Sequence, residues 1–294
     1  MTVVVGYLAG KAGRSALHLA VEAAHTLETT LAVVTVVPKP WRTPSLARID
    51  AEYAAWADQL GADSQREAQR CLDQIGKGLD VSYTRVAART AGEGLLDAAE
   101  ELDAQVLVAG SSSHHGALGQ VVLGSTTDWL LHSSPVPVAV SPRGYRGTKS
   151  GKLVRVTCGY SGTPESVQVV ERVAALTDHL DVKMRVVAYA IRGRTMFPPE
   201  VGLHTEDSLL AAWAQELREM LAKLKADRVV GEDVELQVIT GNGWDEALDE
   251  TEWEDGDLLA LGTSSRRTIK GVFLGSHGAK IIRHSPVPVL VLPS

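Results

Sequence analysis

The feature that most limits how this chain can fold is a stretch of sequence that occurs twice. Residues 106–140 read VLVAGSSSHHGALGQVVLGSTTDWLLHSSPVPVAV, and residues 259–291 read LALGTSSRRTIKGVFLGSHGAKIIRHSPVPVLV. Gly110 and Gly262 are 152 residues apart, whereas the Gly-Ser pairs and the Ser-Pro-Val-Pro-Val segments are 151 apart. Self-similarity at a nearly constant offset is the mark of duplicated structural units. The sequence therefore predicts a tandem duplication of one domain.

Within each copy, apolar strands alternate with helices. Thr2–Gly6 is a short β-branched run, which predicts a buried strand, and Ser15–Leu27 places apolar residues at the spacing of one helical face. The second copy repeats this order, beginning with a strand near Leu153–Cys158. Alternating strands and helices are typical of α/β domains with a parallel sheet, and near-continuous apolar strands indicate a sheet covered on both faces.

The duplication also predicts where the domains begin and end. Residues 1–141 hold the first copy and residues 152–294 the second, and each is close to the usual size of one domain. Residues 142–151 contain Pro142 and three glycines without apolar periodicity, so we predict that they form a linker.

Composition excludes several classes of protein. A net charge of −7 argues against a protein that coats nucleic acid or an anionic membrane. No apolar run approaches the roughly 18 residues of a membrane-spanning helix, and the N-terminus lacks the pattern of a signal peptide. Cys71 and Cys158, one in each copy, are the only cysteines, which favours a reducing compartment. We therefore expect a cytoplasmic protein.

The loop after the fourth strand of each copy carries the candidate chemistry. In the second copy Gly262 ends a strand, Thr263–Lys270 form a polar and basic loop, and Gly275-Ser276 open a helix. Backbone N–H groups in such a loop and the positive end of the helix dipole favour an anion such as phosphate. The alternative for each loop is a helix-start turn that the fold retains without a ligand.

These residues resemble the universal stress protein family, once per copy and over nearly the whole chain. The shared pattern is an apolar strand, a Gly-containing loop, Gly-Ser at a helix start and a final P-V-x-V strand. The resemblance implies an α/β fold for each copy, with a five-stranded parallel sheet in the order 3-2-1-4-5 and helices on both faces. It places a ligand at the carboxyl ends of strands 1 and 4, where some members bind ATP and others do not. It also implies that the two P-V-x-V strands pair as a pseudo-dimer within the chain, with a homodimer as a further arrangement.

The family's ATP-binding pattern is only partly kept. In the second copy Ser265 stands where the family has Gly, and in the first copy an extra residue puts His114 at that position. Neither copy has the Asp that usually follows the first strand, where the second copy has Ser161. Arg266 and its basic neighbours favour an anion in the second copy. The candidate nucleotide-binding residues are Ser161, Gly262, Thr263, Ser265, Arg266, Gly275 and Ser276 in the second copy, and Gly110, Ser111, Gly124 and Ser125 in the first.

Three hypotheses about function follow. The first is a non-catalytic stress-response regulator with a weak adenine-nucleotide site, ATP or a related nucleotide, which is better formed in the second copy. The second is an interaction protein of the same family that has lost the nucleotide and acts through a protein partner. An enzyme ranks last, because the loops offer no general base, no metal-binding carboxylate and no hydrolase triad. We expect no bound metal and no nucleic-acid or membrane partner.

Overall fold

The computed structural model describes residues 1–9, 13–39, 47–112, 118–192, 203–268, 271–273 and 276–293. The chain divides into two compact units, Met1–Lys152 and Leu153–Leu292. The segment 142–151, which joins the last strand of one copy to the first strand of the other, packs as part of the first unit.

The first unit is a parallel sheet with its helices in the crossover connections. Its elements are β1 (Thr2–Gly6), α1 (Arg14–Thr26), β2 (Thr30–Pro38), α2 (Ala47–Ile75), β3 (Val81–Ala88), α3 (Ala91–Glu101), β4 (Ala104–Gly110), α4 (Ser125–Ser133) and β5 (Val138–Ser141). The strands lie in the order β3-β2-β1-β4-β5 and pair in parallel. The central β1 residues Val3, Val4 and Val5 are fully buried, because neighbouring strands and both helical layers cover them.

The second unit repeats this plan. Its elements are β6 (Arg155–Tyr160), α5 (Pro164–Thr177), β7 (Lys183–Ile191), α6 (Leu203–Ala226), β8 (Glu235–Gly241), α7 (Trp244–Asp249), β9 (Asp257–Gly262), β10 (Ser264–Thr268), β11 (Gly271–Phe273), α8 (Ser276–His284) and β12 (Val289–Leu292). The parallel strands lie in the order β8-β7-β6-β9-β12. Numbered within the copy, this is again 3-2-1-4-5, so the α/β class and the expected strand order are confirmed in both units.

Two local predictions differ from the structure. The segment Thr263–Lys270, expected to be a loop, contains β10, which pairs antiparallel with β11. Ser264 pairs with Phe273, and Thr268 pairs with Gly271. The final P-V-x-V strand expected in the first copy begins only at the second valine of that motif, Val138, because Pro135 and Pro137 have no N–H to donate to a neighbouring strand.

A network of buried charges holds the amino-terminal ends of β6, β7 and β9 together. The Asp257 carboxylate accepts hydrogen bonds from Arg155 Nε at 2.8 Å and Arg155 Nη2 at 2.6 Å. Arg185, only 1% exposed, donates to Thr157 Oγ1 and lies with its guanidinium carbon 5.6 Å from the centre of the Trp253 ring. Burial first, and repulsion from Arg155 second, lower the pKa of Arg185. This corner of the fold therefore depends on one buried carboxylate.

Each unit contains one free cysteine. Cys158 lies in β6 with no exposed surface, and burial raises its pKa to about 12. Cys71 on α2 is partly exposed, and burial raises its pKa as well. Both thiols are therefore protonated at neutral pH, and only Cys158 is shielded from solvent.

Candidate functional site

A cleft of about 440 Å³ opens in the first unit at the carboxyl ends of β1 and β4. Strand β1 lies between β2 and β4, so the crossover helices leave it in opposite directions on the two sides. In open α/β sheets this switch point leaves a crevice where ligands bind. All four residues predicted for the first copy line the cleft, namely Gly110, Ser111, Gly124 and Ser125.

The amino-terminal end of α4 faces this cleft without a side-chain cap. Gly124 is the N-cap residue, in an extended conformation with φ −87° and ψ 167°, and as a glycine it has no side chain to cap the first turn. A Cβ placed on Gly124 would lie 3.4 Å from the Ser112 Cβ, at the wall of the cleft. The first N–H groups of a helix need partners outside the helix, and the dipole favours a negative one. The geometry therefore suits a phosphate or a similar anion.

The hydroxyl groups around the cleft hold its walls together. Ser111 Oγ donates to Ser141 O at 2.6 Å and accepts from Val122 N at 3.1 Å. Thr127 Oγ1 on α4 donates to Gly110 O at 3.0 Å. The Ser111 hydroxyl is therefore hydrogen-bonded to the protein backbone on both sides. Ser125, the first residue of α4, is exposed.

Sequence reasoning missed the apolar wall of the cleft. Tyr7, directly after β1, is only 3% exposed, and it lines the cleft together with Val36 and Leu95. The Tyr7 ring lies 2.8 Å from where a Cβ on Gly13 would be, so the ring fits there because residue 13 is a glycine. Burial first, and the Glu67 carboxylate second, raise the pKa of Tyr7, which keeps the phenol protonated. The only feature of the sequence that could have indicated Tyr7 as a cleft residue is its position at the end of β1.

In the second unit the described candidates lie at the corresponding edge. Gly262 ends β9, and Ser161 follows the neighbouring parallel strand β6. Ser161 Oγ lies 3.3 Å from Thr163 Oγ1, and Thr163 caps α5 in a capping box. Thr263 is 2% exposed, and its hydroxyl donates to Leu292 O at 3.4 Å, so this side chain is bonded to the protein backbone.

The remaining candidates of the second unit are located by backbone alone or not at all. Ser265 and Arg266 belong to β10, and Ser276 is the first residue of α8. Gly275 lies outside the described residues, as do His114 in the first copy and Lys270 in the second. The structure thus brings the four candidates of the first copy together in one cleft, and in the second copy it places Ser161, Gly262 and Thr263 at one edge of the sheet.

The described part of the chain lacks two kinds of feature. No group of three or more His, Cys, Asp or Glu side chains there is arranged to hold a metal ion. None of the helices described is both long and apolar enough to cross a membrane.

Comparison with known proteins identifies the family. Residues 1–142 and 154–293 each match the universal stress protein family. The chain belongs to the universal stress protein family. A universal stress protein of Mycobacterium tuberculosis is 58% identical over 293 residues, which is 100% of both chains. This universal stress protein is therefore a tandem member, as the internal duplication predicted.

A solved structure that covers almost the whole chain agrees with the fold. A universal stress protein from Archaeoglobus fulgidus covers 99% of this chain and 98% of its own, with a TM-score of 0.65 and 16% identity. A shorter universal stress protein, solved in complex with cAMP, covers 49% of this chain and 98% of its own, with a TM-score of 0.39 and 22% identity. The first likeness extends over both copies and supports the tandem α/β architecture.

Proposed function

We propose that this tandem universal stress protein is a non-catalytic, cytoplasmic regulator that binds an adenine nucleotide. The observation that carries the proposal is the cleft of the first unit, which the first turn of α4 lines and where the N-cap residue Gly124 offers no capping side chain. The phosphate would lie at Gly124 and Ser125, where the helix dipole stabilises negative charge. The base and ribose would lie toward Tyr7, Val36 and Leu95, because these apolar side chains offer a surface on which a ring can pack.

The second copy is proposed as a further site of the same kind. Gly262 and Ser161 lie at the matching edge of its sheet, and α8 begins at Ser276 as α4 begins at Ser125. The basic residues of β10, Arg266 among them, favour an anion. Both sites are expected to be weak. An absent charged hydrogen-bond partner costs on the order of 1.5–3 kcal/mol, which is about ten- to hundredfold in affinity.

The test is a titration of purified protein with ATP, AMP and cAMP, after any carried-over nucleotide has been removed and identified by mass spectrometry. Gly124→Val closes the first cleft without straining the backbone, because Gly124 is already extended and its added side chain would face Ser112. Gly243→Val is the matched control, since Gly243 is also an extended N-cap glycine, and a Cβ there meets nothing within 4 Å. We expect Gly124→Val to lower affinity at the first site at least tenfold, and Gly243→Val to leave it unchanged.

A parallel variant, Gly275→Val, addresses the second copy. Two nucleotides per chain, each lost with one variant, would support both sites. One nucleotide per chain, lost only with Gly275→Val, would move the proposal to the second copy. The absence of saturable binding by all three nucleotides would refute the proposal.

A second candidate function is an interaction protein that has lost the nucleotide. Two observations favour it: the hydroxyls of Ser111 and Thr263 are bonded to the protein's own backbone, and neither copy has the expected Asp. It predicts that purified protein contains no nucleotide and that a defined protein partner co-purifies with it. Recovery of about one nucleotide per chain from freshly purified protein would exclude this alternative.

A further inference from the structure

The linker, residues 142–151, is bonded at its start to a short loop beside the cleft. Gly119 N donates to Arg143 O at 2.8 Å, and Arg143 N donates to Gln120 O at 2.9 Å. A Cβ on Gly144 would lie 3.0 Å from Leu118 Cδ2, so linker and loop are also in close contact. Residues 118–122 form this short loop, the cleft loop.

The cleft loop is bonded on its other side to the wall of the cleft. Ser112 N donates to Val122 O at 2.7 Å, and Val122 N donates to Ser111 Oγ at 3.1 Å. Val121, the residue before Val122, is 1% exposed. Ser111 and Ser112 both line the cleft. A continuous chain of hydrogen bonds therefore joins the cleft wall, the cleft loop and the start of the linker.

The middle of the linker is anchored to α1 through a buried carboxylate. Glu22 is 2% exposed, and its two oxygens accept hydrogen bonds from the Tyr145 hydroxyl, at 2.7 Å, and from the Thr148 N–H. A buried carboxylate is costly unless such donors satisfy it. Helix α1 begins directly after Gly13, which lines the cleft. This second anchor therefore also lies on an element that forms the cleft.

We propose that occupancy of the cleft and docking of the linker are coupled, so that the linker responds to the ligand of the first unit. The inference rests on the proposed function, because it needs a nucleotide in the cleft. A ligand that holds Ser112 and the ends of α1 and α4 in place restricts the elements to which the linker is bonded. By reciprocity, a docked linker must then favour the ligand by the same factor.

The linker offers a matched pair of variants. Gly147 and Gly151 both have positive φ, +78° and +69°, so alanine strains the backbone at either position. A Cβ on Gly147 would lie 3.1 Å from Glu22 Oε1 and 3.2 Å from His18 Nδ1, whereas a Cβ on Gly151 meets nothing within 4 Å. Gly147→Ala should therefore disturb the Glu22 anchor, and Gly151→Ala controls for backbone strain alone.

Limited proteolysis with trypsin measures how accessible the linker is, because the linker contains the cleavage sites Arg143, Arg146 and Lys149. The full chain is digested with and without a saturating concentration of whichever of ATP, AMP and cAMP binds most tightly. Cleavage outside the linker is the internal reference for global unfolding. In the wild type we expect the nucleotide to slow linker cleavage at least about fivefold relative to this reference, the lower end of typical allosteric coupling. The Gly124→Val variant should lose this protection.

The variants test reciprocity. Gly147→Ala should speed linker cleavage without ligand and weaken nucleotide binding at the first site by about fivefold or more, while Gly151→Ala should bind as the wild type does. If the wild type binds nucleotide but linker cleavage does not change, the coupling is refuted and the proposed function stands. Faster linker cleavage in Gly147→Ala with unchanged affinity would refute it equally. If no nucleotide binds, both proposals fail together.

Discussion

Replacing Asp257 with alanine should destabilise the second unit more than replacing an exposed charged residue of the same network. The carboxylate is fully buried, binds Arg155 through two hydrogen bonds, and accepts the Glu254 N–H at 2.8 Å. It also lies 4.0 Å from Arg185 Nη2. Asp257→Ala leaves two buried guanidinium groups without the anion that compensates them.

The magnitude follows from the cost of an unpaired buried charge. Removing one partner of a buried ion pair typically costs about 3–5 kcal/mol. At about 1.4 kcal/mol per tenfold change, the opening equilibrium of the second unit should rise by roughly 150- to 4,000-fold. Part of this cost is the loss of the Glu254 N–H acceptor, which lies in the same turn.

Cys158 provides the assay. It lies in β6, three residues after Arg155, with no exposed surface, so a thiol reagent reaches it only when the second unit opens. Its rate of labelling under native conditions, followed by mass spectrometry, reports the opening equilibrium when reclosing is fast. Cys71 in the first unit is partly exposed and serves as the internal reference. We expect Cys158 labelling to accelerate by the factor given above and Cys71 labelling to stay constant.

Glu254→Ala is the matched control. Glu254 also binds Arg155, at 3.2 Å, but its side chain is 67% exposed. Exposed ion pairs contribute roughly 0–1 kcal/mol, so the control should accelerate labelling by less than about sixfold. Equal acceleration of Cys158 labelling in the two variants would show that burial of an ion pair does not determine how much it stabilises the second unit, and would refute the prediction.

Two further predictions concern glycine packing and pH. Gly262→Ala should lower the free energy of unfolding of the second unit by about 1–3 kcal/mol in a denaturant titration, because the new Cβ would lie 2.3 Å from Val169 Cγ2. Gly243→Ala is the control, since a Cβ at Gly243 meets nothing within 4 Å. It should change the free energy of unfolding by less than about 0.5 kcal/mol in the same titration. Burial first, and two neighbouring arginines second, lower the pKa of His18 below its ordinary 6.5, so the unfolded chain binds the proton more readily and stability should fall as the pH drops below 6.5. A His18→Gln variant whose unfolding midpoint falls just as steeply between pH 7 and 5 would contradict this.

The sequence predicted the architecture because the relevant signals are local and occur twice. The β-branched run Thr2–Gly6 and the repeated Gly-Ser pairs locate the strands and the helix starts, and the family resemblance supplied the strand order. The same signals pointed to Gly110 and Gly124, and the structure shows that both line one cleft. Periodicity and turn residues are sufficient for this level of description.

What the sequence did not reveal depends on contacts between distant residues. Glu22 is a charged residue of α1, yet it is buried because Tyr145 and Thr148, more than 120 residues later, lie over it. Tyr7 gave no sign that its ring would pack in the space left by Gly13. Such arrangements require the chain to be folded before they exist, and no local pattern encodes them.

The docked linker has a practical consequence for anyone who separates the two copies. The family match in the first copy ends at residue 142, whereas the first compact unit extends to Lys152. A fragment cut at the family boundary would remove the Tyr145 and Thr148 donors from Glu22 and take Arg143 away from the cleft loop. Binding measured on such a fragment would describe a cleft without its linker contacts, so the first copy is best expressed together with residues 143–152.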